Sequence, residues 1–223
     1  MARVSFTGGP NAARHVLENV KRNFAEVSLE LGGKSPFIVF EDADIESAVN
    51  ASIAGIFGAT VQSCVAGSRL YLHEDIADEF LEKMTALTRP IVIGAPSAEE
   101  TQMGPLCTTG QLENIQREVA YAQEQGATIL AGGKQPDGMG GLFYEPTIIE
   151  CPRQDLRIVD TELFGPVLSV QRFKTEEEVL ELANDSEHGL AAGIFTRDSA
   201  RSLRMANAVQ AGIVWVNTYR VVS

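Results

Sequence analysis

The sequence is short of basic residues, and this shortage excludes two classes of partner. Eighteen Lys and Arg residues stand against 30 Asp and Glu residues, which gives a net charge of −12. A surface this acidic repels the phosphate backbone of nucleic acids and the headgroups of anionic lipids. We therefore expect neither nucleic acid nor a membrane surface to be a partner.

Long apolar runs are also absent. The most apolar stretch, residues Ala51 to Val61, has only eleven residues, whereas a membrane-spanning helix needs roughly 20. No basic start followed by an apolar core marks a secretory signal peptide. The sequence therefore predicts a cytoplasmic protein without a membrane span.

Cysteine is scarce, and its spacing excludes two kinds of site. Cys64, Cys107 and Cys151 lie far apart, and the sequence contains neither a C-x-x-C pair nor an H-E-x-x-H helix. Such spacing does not suit a disulfide framework or a zinc site. We expect three free thiols and no metal site.

What the sequence does contain is a regular alternation of strand-like and helix-like segments. Its 223 residues, 44% of them hydrophobic, are enough for one substantial core or for a domain and a half. The predicted strands are Val4–Phe6, Glu26–Leu31, Pro36–Phe40, Ser68–His73, Thr128–Leu130, Phe143–Ile149, Val167–Phe173, Leu190–Phe195 and Ile213–Val216. The predicted helices are Asn11–Arg22, Ile45 to about Thr60, Ile76–Leu87, Gln111–Gln125, Glu176–Ala183 and Ser199–Val209.

This order of segments predicts an α/β fold. Alternating strands and helices form an open, mainly parallel, doubly wound sheet with helices on both faces. In such sheets the site lies at the carboxyl ends of the strands. The first predicted strand begins within a few residues of Met1, and the last ends shortly before Ser223. We therefore expect a piece of a longer protein, truncated at both ends.

The stretch VQSCVAGSR, residues Val61 to Arg69, contains the first candidate for chemistry. A cysteine thiolate is a strong nucleophile, and small neighbours let a substrate and a backbone N–H approach it closely. A free cysteine that follows an apolar helix is also well suited to packing in a core. On this stretch alone, Cys64 has both interpretations.

Two other segments carry carboxylates at suggestive places. Glu30 ends a predicted strand just before Gly32 and Gly33, where it can reach into a cleft as a general base or remain an edge-strand charge. Glu162 and Phe164 present a carboxylate and a ring in the segment DTELFGPV, which is also compatible with ordinary turn chemistry.

Taken in order, LELGGKSP, QSCVAGSR and ELFGPV resemble motifs of the aldehyde dehydrogenase superfamily, with Glu30 and Cys64 separated by 34 residues. The opening FTGG and the closing WVNTY are similar to family segments too, so the resemblance covers essentially the whole chain. It implies that Cys64 is the nucleophile and Glu30 the base that activates the deacylating water. The residues that it assigns to the cofactor are Gly8, Gly9, Leu31, Gln111, Glu162 and Phe164. Asn217 matches a position in the closing motif, where a purely structural role is an equal alternative.

The resemblance also implies an activity, which is oxidation of a small-molecule aldehyde to a carboxylic acid with NAD or NADP. Residues 1–34 are then a remnant of the dinucleotide-binding domain, and residues 35–223 are the catalytic domain. The parent protein is expected to be a homodimer or a homotetramer. Because most of the dinucleotide-binding domain is missing, cofactor binding is expected to be incomplete and the isolated chain inactive as a dehydrogenase.

One departure from the family pattern and two alternative functions complete these expectations. Val61 stands where the family motif usually has glycine, so a β-branched side chain occupies a position whose backbone needs conformational freedom. The alternatives are a cofactor-free esterase or acyl transferase that uses Cys64, and a catalytically silent structural or interaction domain.

Overall fold

A computed structural model describes residues 2–221 of the chain. The strands are β1 (Arg3–Thr7), β2 (Glu26–Glu30), β3 (Pro36–Val39), β4 (Arg69–His73), β5 (Thr128–Ala131), β6 (Thr147–Glu150), β7 (Val167–Phe173), β8 (Ala191–Phe195) and β9 (Ile213–Val216). The α-helices are α1 (Pro10–Val20), α2 (Ile45–Phe57), α3 (Glu74–Thr88), α4 (Thr109–Glu124), α5 (Arg157–Asp160), α6 (Glu176–Asn184) and α7 (Ser199–Ala208).

The larger of two sheets has seven strands in the order β5-β6-β7-β4-β3-β8-β9. Every neighbouring pair is parallel except β5 and β6, which are antiparallel at one edge. This confirms the predicted α/β class with an open, mainly parallel sheet. No helix within residues 2–221 is long and apolar enough to cross a membrane.

Helices cover both faces of this sheet, as a doubly wound fold requires. Along β3, Phe37 and Val39 pack into a core cluster with residues of α2 and α3. Ile38, whose side chain points to the opposite face, packs with residues of α6 and α7. All four residues of β3 are buried, which is why this strand reads as a continuous apolar run.

The two remaining strands, β1 and β2, form a separate parallel sheet. Their register runs from the pair Arg3 and Glu26 to the pair Thr7 and Glu30, and α1 connects them. The predicted domain boundary between residues 34 and 35 falls between this small sheet and the first strand of the large one. The division into two domains stays a prediction.

Helix α2 ends earlier than predicted. The helical pattern predicts an end near Thr60, but α2 stops at Phe57, and Gly58 to Val61 form a short 3-10 turn. Inside that turn Ala59, Thr60 and Val61 have φ angles of 54°, 55° and 58°, in the left-handed region. The apolar composition continues through this turn, so sequence pattern alone does not reveal the change of backbone conformation.

Strand β6 also differs from its prediction. The strand begins at Thr147 rather than at Phe143, because Pro146 has no backbone N–H to donate to a ladder and Tyr144 is buried in the core below α4. The short helix α5 is absent from the predictions. The other elements begin and end within a few residues of the predicted bounds, and α4 starts with a capping box between Thr108 and Gln111.

Candidate active site

A cavity of about 280 Å³ lies where the two sheets meet. It is lined by Thr7, Gly8, Gly9, Glu30, Leu31, Gly32, Cys64, Glu162 and Phe164. Seven of the eight residues to which the sequence assigns a role at the site therefore share this cavity, and Gln111 does not. Thr7 and Gly32 also line the cavity, although the sequence analysis did not predict them. Thr7 lines it because it is the last residue of β1, directly before Gly8.

The two sheets contribute opposite ends of their strands to this cavity. Thr7 and Glu30 end β1 and β2, so the small sheet presents its carboxyl ends. Gly32, Cys64 and Phe164 lie in the segments that lead into β3, β4 and β7, so the large sheet presents its amino ends. The predicted location at carboxyl ends is therefore wrong for the large sheet. The rule applies to a site built on one open sheet, whereas this cavity is formed between two.

Gly32 and Gly33 allow three segments to meet in a small space. A Cβ atom on Gly32 would overlap the carboxylate of Glu162, and one on Gly33 would lie 2.8 Å from the carbonyl oxygen of Cys64. The backbone N–H of Gly33 donates to Oε1 of Glu162 at 3.1 Å. Glycine is thus needed at Gly33, where the close atom belongs to the backbone of the cysteine loop, and at Gly32 it makes room for the carboxylate of Glu162 in its present position.

The cysteine loop itself has an unusual backbone. Cys64 is half-buried and follows the left-handed turn at residues 59–61. Val61 is 3% exposed and has a φ of 58°, a conformation that is a steric outlier for a β-branched residue. Such strained conformations persist only where the surrounding structure holds them, and they cluster at functional sites.

Two carboxylates face the cavity in different surroundings. Glu30 is exposed at the end of β2, and its carbonyl oxygen accepts from Gly8 N–H at 3.0 Å. Its side chain therefore has access to water, which a general base for hydrolysis requires. Glu162 is half-buried and is held by the N–H of Gly33, so its carboxylate is fixed in place.

Gln111 lies outside the cavity but touches one of its walls. Its side chain accepts from the backbone N–H of Thr108 at 3.0 Å in the capping box of α4. It also donates through Nε2 to the carbonyl oxygen of Phe164 at 3.3 Å. The structure thus gives Gln111 a contact with the backbone of a cavity residue. Its assignment as a cofactor contact stays a prediction.

Two residues behind the cavity carry charge and were not predicted. The guanidinium of Arg69 donates from Nε to the carbonyl oxygen of Lys34 at 2.7 Å and from Nη2 to that of Ala183 at 2.9 Å. Lys34 is 2% exposed, and burial, together with the charge of Arg69, lowers the pKa of its ammonium to about 8. The local sequence Gly32-Gly33-Lys34-Ser35-Pro36 carries no signal that this lysine is buried.

The closing motif contributes structural contacts. The side chain of Asn217 accepts from Thr196 N–H at 3.0 Å and donates to Thr196 C=O at 2.9 Å, which fits its structural alternative. Tyr219 donates to the carbonyl oxygen of Val65 at 2.9 Å, so the closing motif supports the cysteine loop from the side opposite to the turn. Among residues 2–221, no group of three or more His, Cys, Asp or Glu side chains could hold a metal ion.

Comparison with known proteins places this geometry in a family. The family model described as "Aldehyde dehydrogenase family" matches residues 1–223. The curated (Z)-2-((N-methylformamido)methylene)-5-hydroxybutyrolactone dehydrogenase of Acinetobacter baylyi is 53% identical over 224 residues, a match that covers 100% of this chain and 46% of the relative. Betaine aldehyde dehydrogenase of Brucella anthropi is 42% identical, with 99% of this chain and 46% of the relative covered.

The solved structures agree with these relatives. A crystal structure of betaine aldehyde dehydrogenase from Staphylococcus aureus in complex with NAD+ matches with a TM-score of 0.95 and 40% identity. The match covers 100% of this chain and 45% of that protein. The chain thus spans somewhat less than half the length of these relatives.

Proposed function

Because the chain belongs to the aldehyde dehydrogenase family, we propose that Cys64 is the nucleophile and Glu30 the general base of an NAD(P)-dependent aldehyde oxidation. The observation that carries this proposal is that both side chains line one cavity, together with Glu162 and Phe164. A thiol nucleophile and an exposed carboxylate that can act as a general base are the protein groups that this chemistry needs.

Cys64 performs the first step. Its thiolate adds to the aldehyde carbon, and the carbonyl oxygen becomes an oxyanion that backbone N–H donors stabilise. We assign one of these donors to the amide of Cys64 itself. A Cβ atom on Gly33 would lie 2.8 Å from the carbonyl oxygen of Cys64, so the chain before β3 runs close to the backbone of the nucleophile and supports its position before substrate arrives.

We propose that this cavity holds the nicotinamide half of NAD or NADP. A Cβ atom on Gly9 would meet no atom within 4 Å, so there is open space beside the backbone at this position of the cavity lining, whereas a Cβ atom on Gly8 would lie 2.8 Å from the ring of Phe6. We propose that the carboxylate of Glu162 binds ribose hydroxyls, that Phe164 packs against the nicotinamide side and that the backbone of Leu31 meets the carboxamide. When bound, the nicotinamide supplies the hydride acceptor that turns the Cys64 adduct into a thioester.

Glu30 performs the last step. Its carboxylate removes a proton from a water molecule, which attacks the thioester carbon, and the sulfur of Cys64 leaves as a thiolate. The products are the carboxylic acid and the regenerated nucleophile. The exposed position of Glu30 supports this role because its carboxylate can exchange the proton with solvent between turnovers.

The complete reaction requires more than residues 1–223. These residues match 46% of the Acinetobacter relative, and the cofactor contacts proposed above concern the nicotinamide half. We propose that residues 1–34 belong to the dinucleotide-binding domain of a longer protein, that residues 35–223 form its catalytic domain, and that this protein is a homodimer or a homotetramer. On their own, residues 1–223 are expected to bind NAD and NADP too weakly for turnover.

A cofactor-free thiol esterase is the second candidate. The specific observation in its favour is that Cys64 lines one cavity with the exposed carboxylate of Glu30, because acyl transfer to a thiol and hydrolysis of the product need only a nucleophile and a base. It predicts that residues 1–223 hydrolyse an activated ester with repeated turnover. A catalytically silent domain instead predicts that Cys64 forms no acyl adduct while the chain is folded.

The decisive experiment is to trap the acyl-enzyme. The chain is mixed with p-nitrophenyl acetate and the acetyl group is located by peptide mass mapping, in the wild type, in Glu30→Gln and in Glu26→Gln. Glu26 is the matched control because it is exposed on the same strand and lies outside the cavity. We expect the Cys64 adduct to accumulate in Glu30→Gln, because deacylation loses its base, and to turn over in the control.

Three results would contradict the proposal. Acetylation of Cys107 or Cys151 in preference to Cys64 would remove the nucleophile, and equal accumulation in both glutamate variants would remove Glu30 as the base. Calorimetric titration of the chain with NAD and NADP, with NADH production measured on a panel of aldehydes, tests the cofactor requirement. Micromolar binding with robust turnover would show that residues 1–223 suffice.

A further inference from the structure

We propose that Gln62 is a positioning residue for Cys64, and that its carboxamide holds the left-handed turn before the cysteine in place. This inference rests on the proposed role of Cys64. Gln62 connects the turn at residues 58–61 with the segment 104–107, which is distant in sequence but adjacent in the fold.

The turn needs such support because its backbone is strained. Ala59, Thr60 and Val61 have consecutive φ angles of 54°, 55° and 58°. Residues other than glycine seldom adopt this conformation, and rarely in succession, because Cβ approaches the following carbonyl oxygen. Without interactions that hold the turn, the segment would relax to ordinary backbone angles, and Cys64, three residues beyond Val61, would move with it.

Gln62 provides two of these interactions with one side chain. Its Nε2 donates to the carbonyl oxygen of Pro105 at 3.3 Å, and its Oε1 accepts from the backbone N–H of Cys107 at 2.9 Å. Thr60 adds a third through its hydroxyl, which donates to the carbonyl oxygen of Gly104 at 3.2 Å. The turn is thus bonded to three residues of one segment.

The segment 104–107 is itself fixed to the core. Leu106 is 3% exposed and packs in the cluster that includes Leu112 and Ile115 of α4. Its N–H donates to the carbonyl oxygen of Leu142 at 2.9 Å. Gln62 therefore connects the cysteine loop to a segment that is held by the buried side chain of Leu106 and by a hydrogen bond to Leu142. This segment has little freedom to move.

The chemistry of the carboxamide matches its two partners. One partner is a carbonyl oxygen, which needs a donor, and the other is an N–H, which needs an acceptor; the carboxamide of Gln62 supplies both from one planar group. A carboxylate of the same length would accept from Cys107 but would place a charged oxygen against the carbonyl of Pro105. On the other side of Cys64 in the sequence, the carbonyl oxygen of Val65 accepts from the hydroxyl of Tyr219. Cys64 therefore lies between two residues, Gln62 and Val65, that are each hydrogen-bonded to distant parts of the chain.

The test compares the reactions of three thiols in Gln62→Ala, Gln62→Glu and the wild-type chain. Cys64 is half-buried, Cys107 exposed and Cys151 buried, so Cys151 reports opening of the whole fold, and Cys107, whose N–H donates to Gln62, reports any change in the segment 104–107. Labelling with iodoacetamide under native conditions is followed by mass mapping of each thiol. Gln116→Ala is the control, because Gln116 is an exposed glutamine on α4 whose carboxamide donates to Gln135 and lies outside the cysteine loop and the segment 104–107.

In Gln62→Ala we expect Cys64 to be alkylated about tenfold faster, because two hydrogen bonds that oppose local opening are lost. Gln62→Glu is expected to fall between this variant and the wild type, and Cys151 to keep its slow rate in both. Acetylation of Cys64 by p-nitrophenyl acetate is expected to fall about tenfold in Gln62→Ala, because this step needs the oxyanion donors in place and alkylation does not.

The opposite responses of the two reactions distinguish positioning from simple stabilisation. An unchanged rate of Cys64 alkylation in Gln62→Ala, acceleration of Cys151 in parallel with Cys64, or a rise in both reactions of Cys64 would overturn the inference. Failure of the proposed function gives another result, in which the wild type forms no Cys64 acyl adduct. In that case the alkylation rates alone decide whether Gln62 holds the loop.

Discussion

Substitution of Val61 tests whether the left-handed turn before Cys64 is strained. The comparison is between Val61→Ala, which keeps a Cβ atom at a φ of 58°, and Val61→Gly, which removes it. Both variants lose the buried γ-methyl groups of Val61, which pack in the core cluster with residues of α2. The difference between the two therefore isolates the backbone from most of the side-chain packing.

Three contributions set the size of this difference. A left-handed conformation destabilises a residue with a Cβ atom by about 1 to 2 kcal/mol, and glycine removes that strain. Glycine also destabilises the folded chain by about 0.5 to 1 kcal/mol relative to alanine, because it has greater freedom in the unfolded chain. The alanine variant keeps one buried methyl group that the glycine variant lacks, which stabilises it by about 0.8 kcal/mol. The contributions nearly cancel, so Val61→Gly and Val61→Ala are expected to have similar free energies of unfolding.

Val49 provides the matched control, because it is 1% exposed and lies in the regular interior of α2. There glycine gains nothing from relief of strain, and Val49→Gly is expected to be less stable than Val49→Ala by about 1.5 kcal/mol. Urea unfolding of the four variants, followed by circular dichroism, measures both differences. A glycine-to-alanine difference at Val61 as large as that at Val49 would refute the argument that the turn is strained.

Three further expectations concern the thiols and the buried cations. Burial raises the pKa of the Cys151 thiol to about 12, so Cys151 is expected to resist alkylation at pH 8 until the chain unfolds. Cys64 is expected to be alkylated faster than the more exposed Cys107. Mass mapping after limited labelling measures all three rates, and faster labelling of Cys107 would count against activation of Cys64. Arg69→Met removes the guanidinium that donates to the carbonyl oxygens of Lys34, Leu182 and Ala183. We expect this substitution to lower the free energy of unfolding by about 3 kcal/mol or more. A loss below about 1 kcal/mol in urea unfolding would contradict the importance of these hydrogen bonds. The pKa of Lys34 is lowered from 10.5 to about 8 in the folded chain, so between these pH values the unfolded chain binds more protons, and the free energy of unfolding rises with pH by up to about 3 kcal/mol. Lys34→Met is expected to remove this rise. If the free energy of unfolding depends on pH in the same way in both proteins, Lys34 does not titrate as proposed.

The fold class was predictable from local pattern. Strands such as β3 are apolar throughout because both of their faces are buried, and helices such as α2 begin at a residue that can cap them. The side chain of Asp44 accepts from Ser47 N–H at 3.0 Å, as its position before the helix suggests. These are properties of neighbouring residues, so they can be read along the chain.

The candidate site was predictable only in part. Motif resemblance pointed to Cys64, Glu30, Glu162 and Phe164, and the fold brings all four to one cavity. Periodicity and composition alone did not decide whether Cys64 is a nucleophile or a residue packed in the core. The location at the amino ends of β3, β4 and β7 was not predictable from strand order, because it depends on how the small sheet lies against the large one.

Conformation and burial within the site were decided by tertiary structure. The sequence by itself determined which reactive groups the chain has, the order of its strands and helices, and its net charge of −12. Only the folded chain turned residues 59–61 into a left-handed turn, buried Lys34 beside Arg69 and placed Gln62 across from residues 104–107. The physical reason is that each of these features depends on partners more than 30 residues away in sequence, and such contacts leave no periodic signal in the residues that make them.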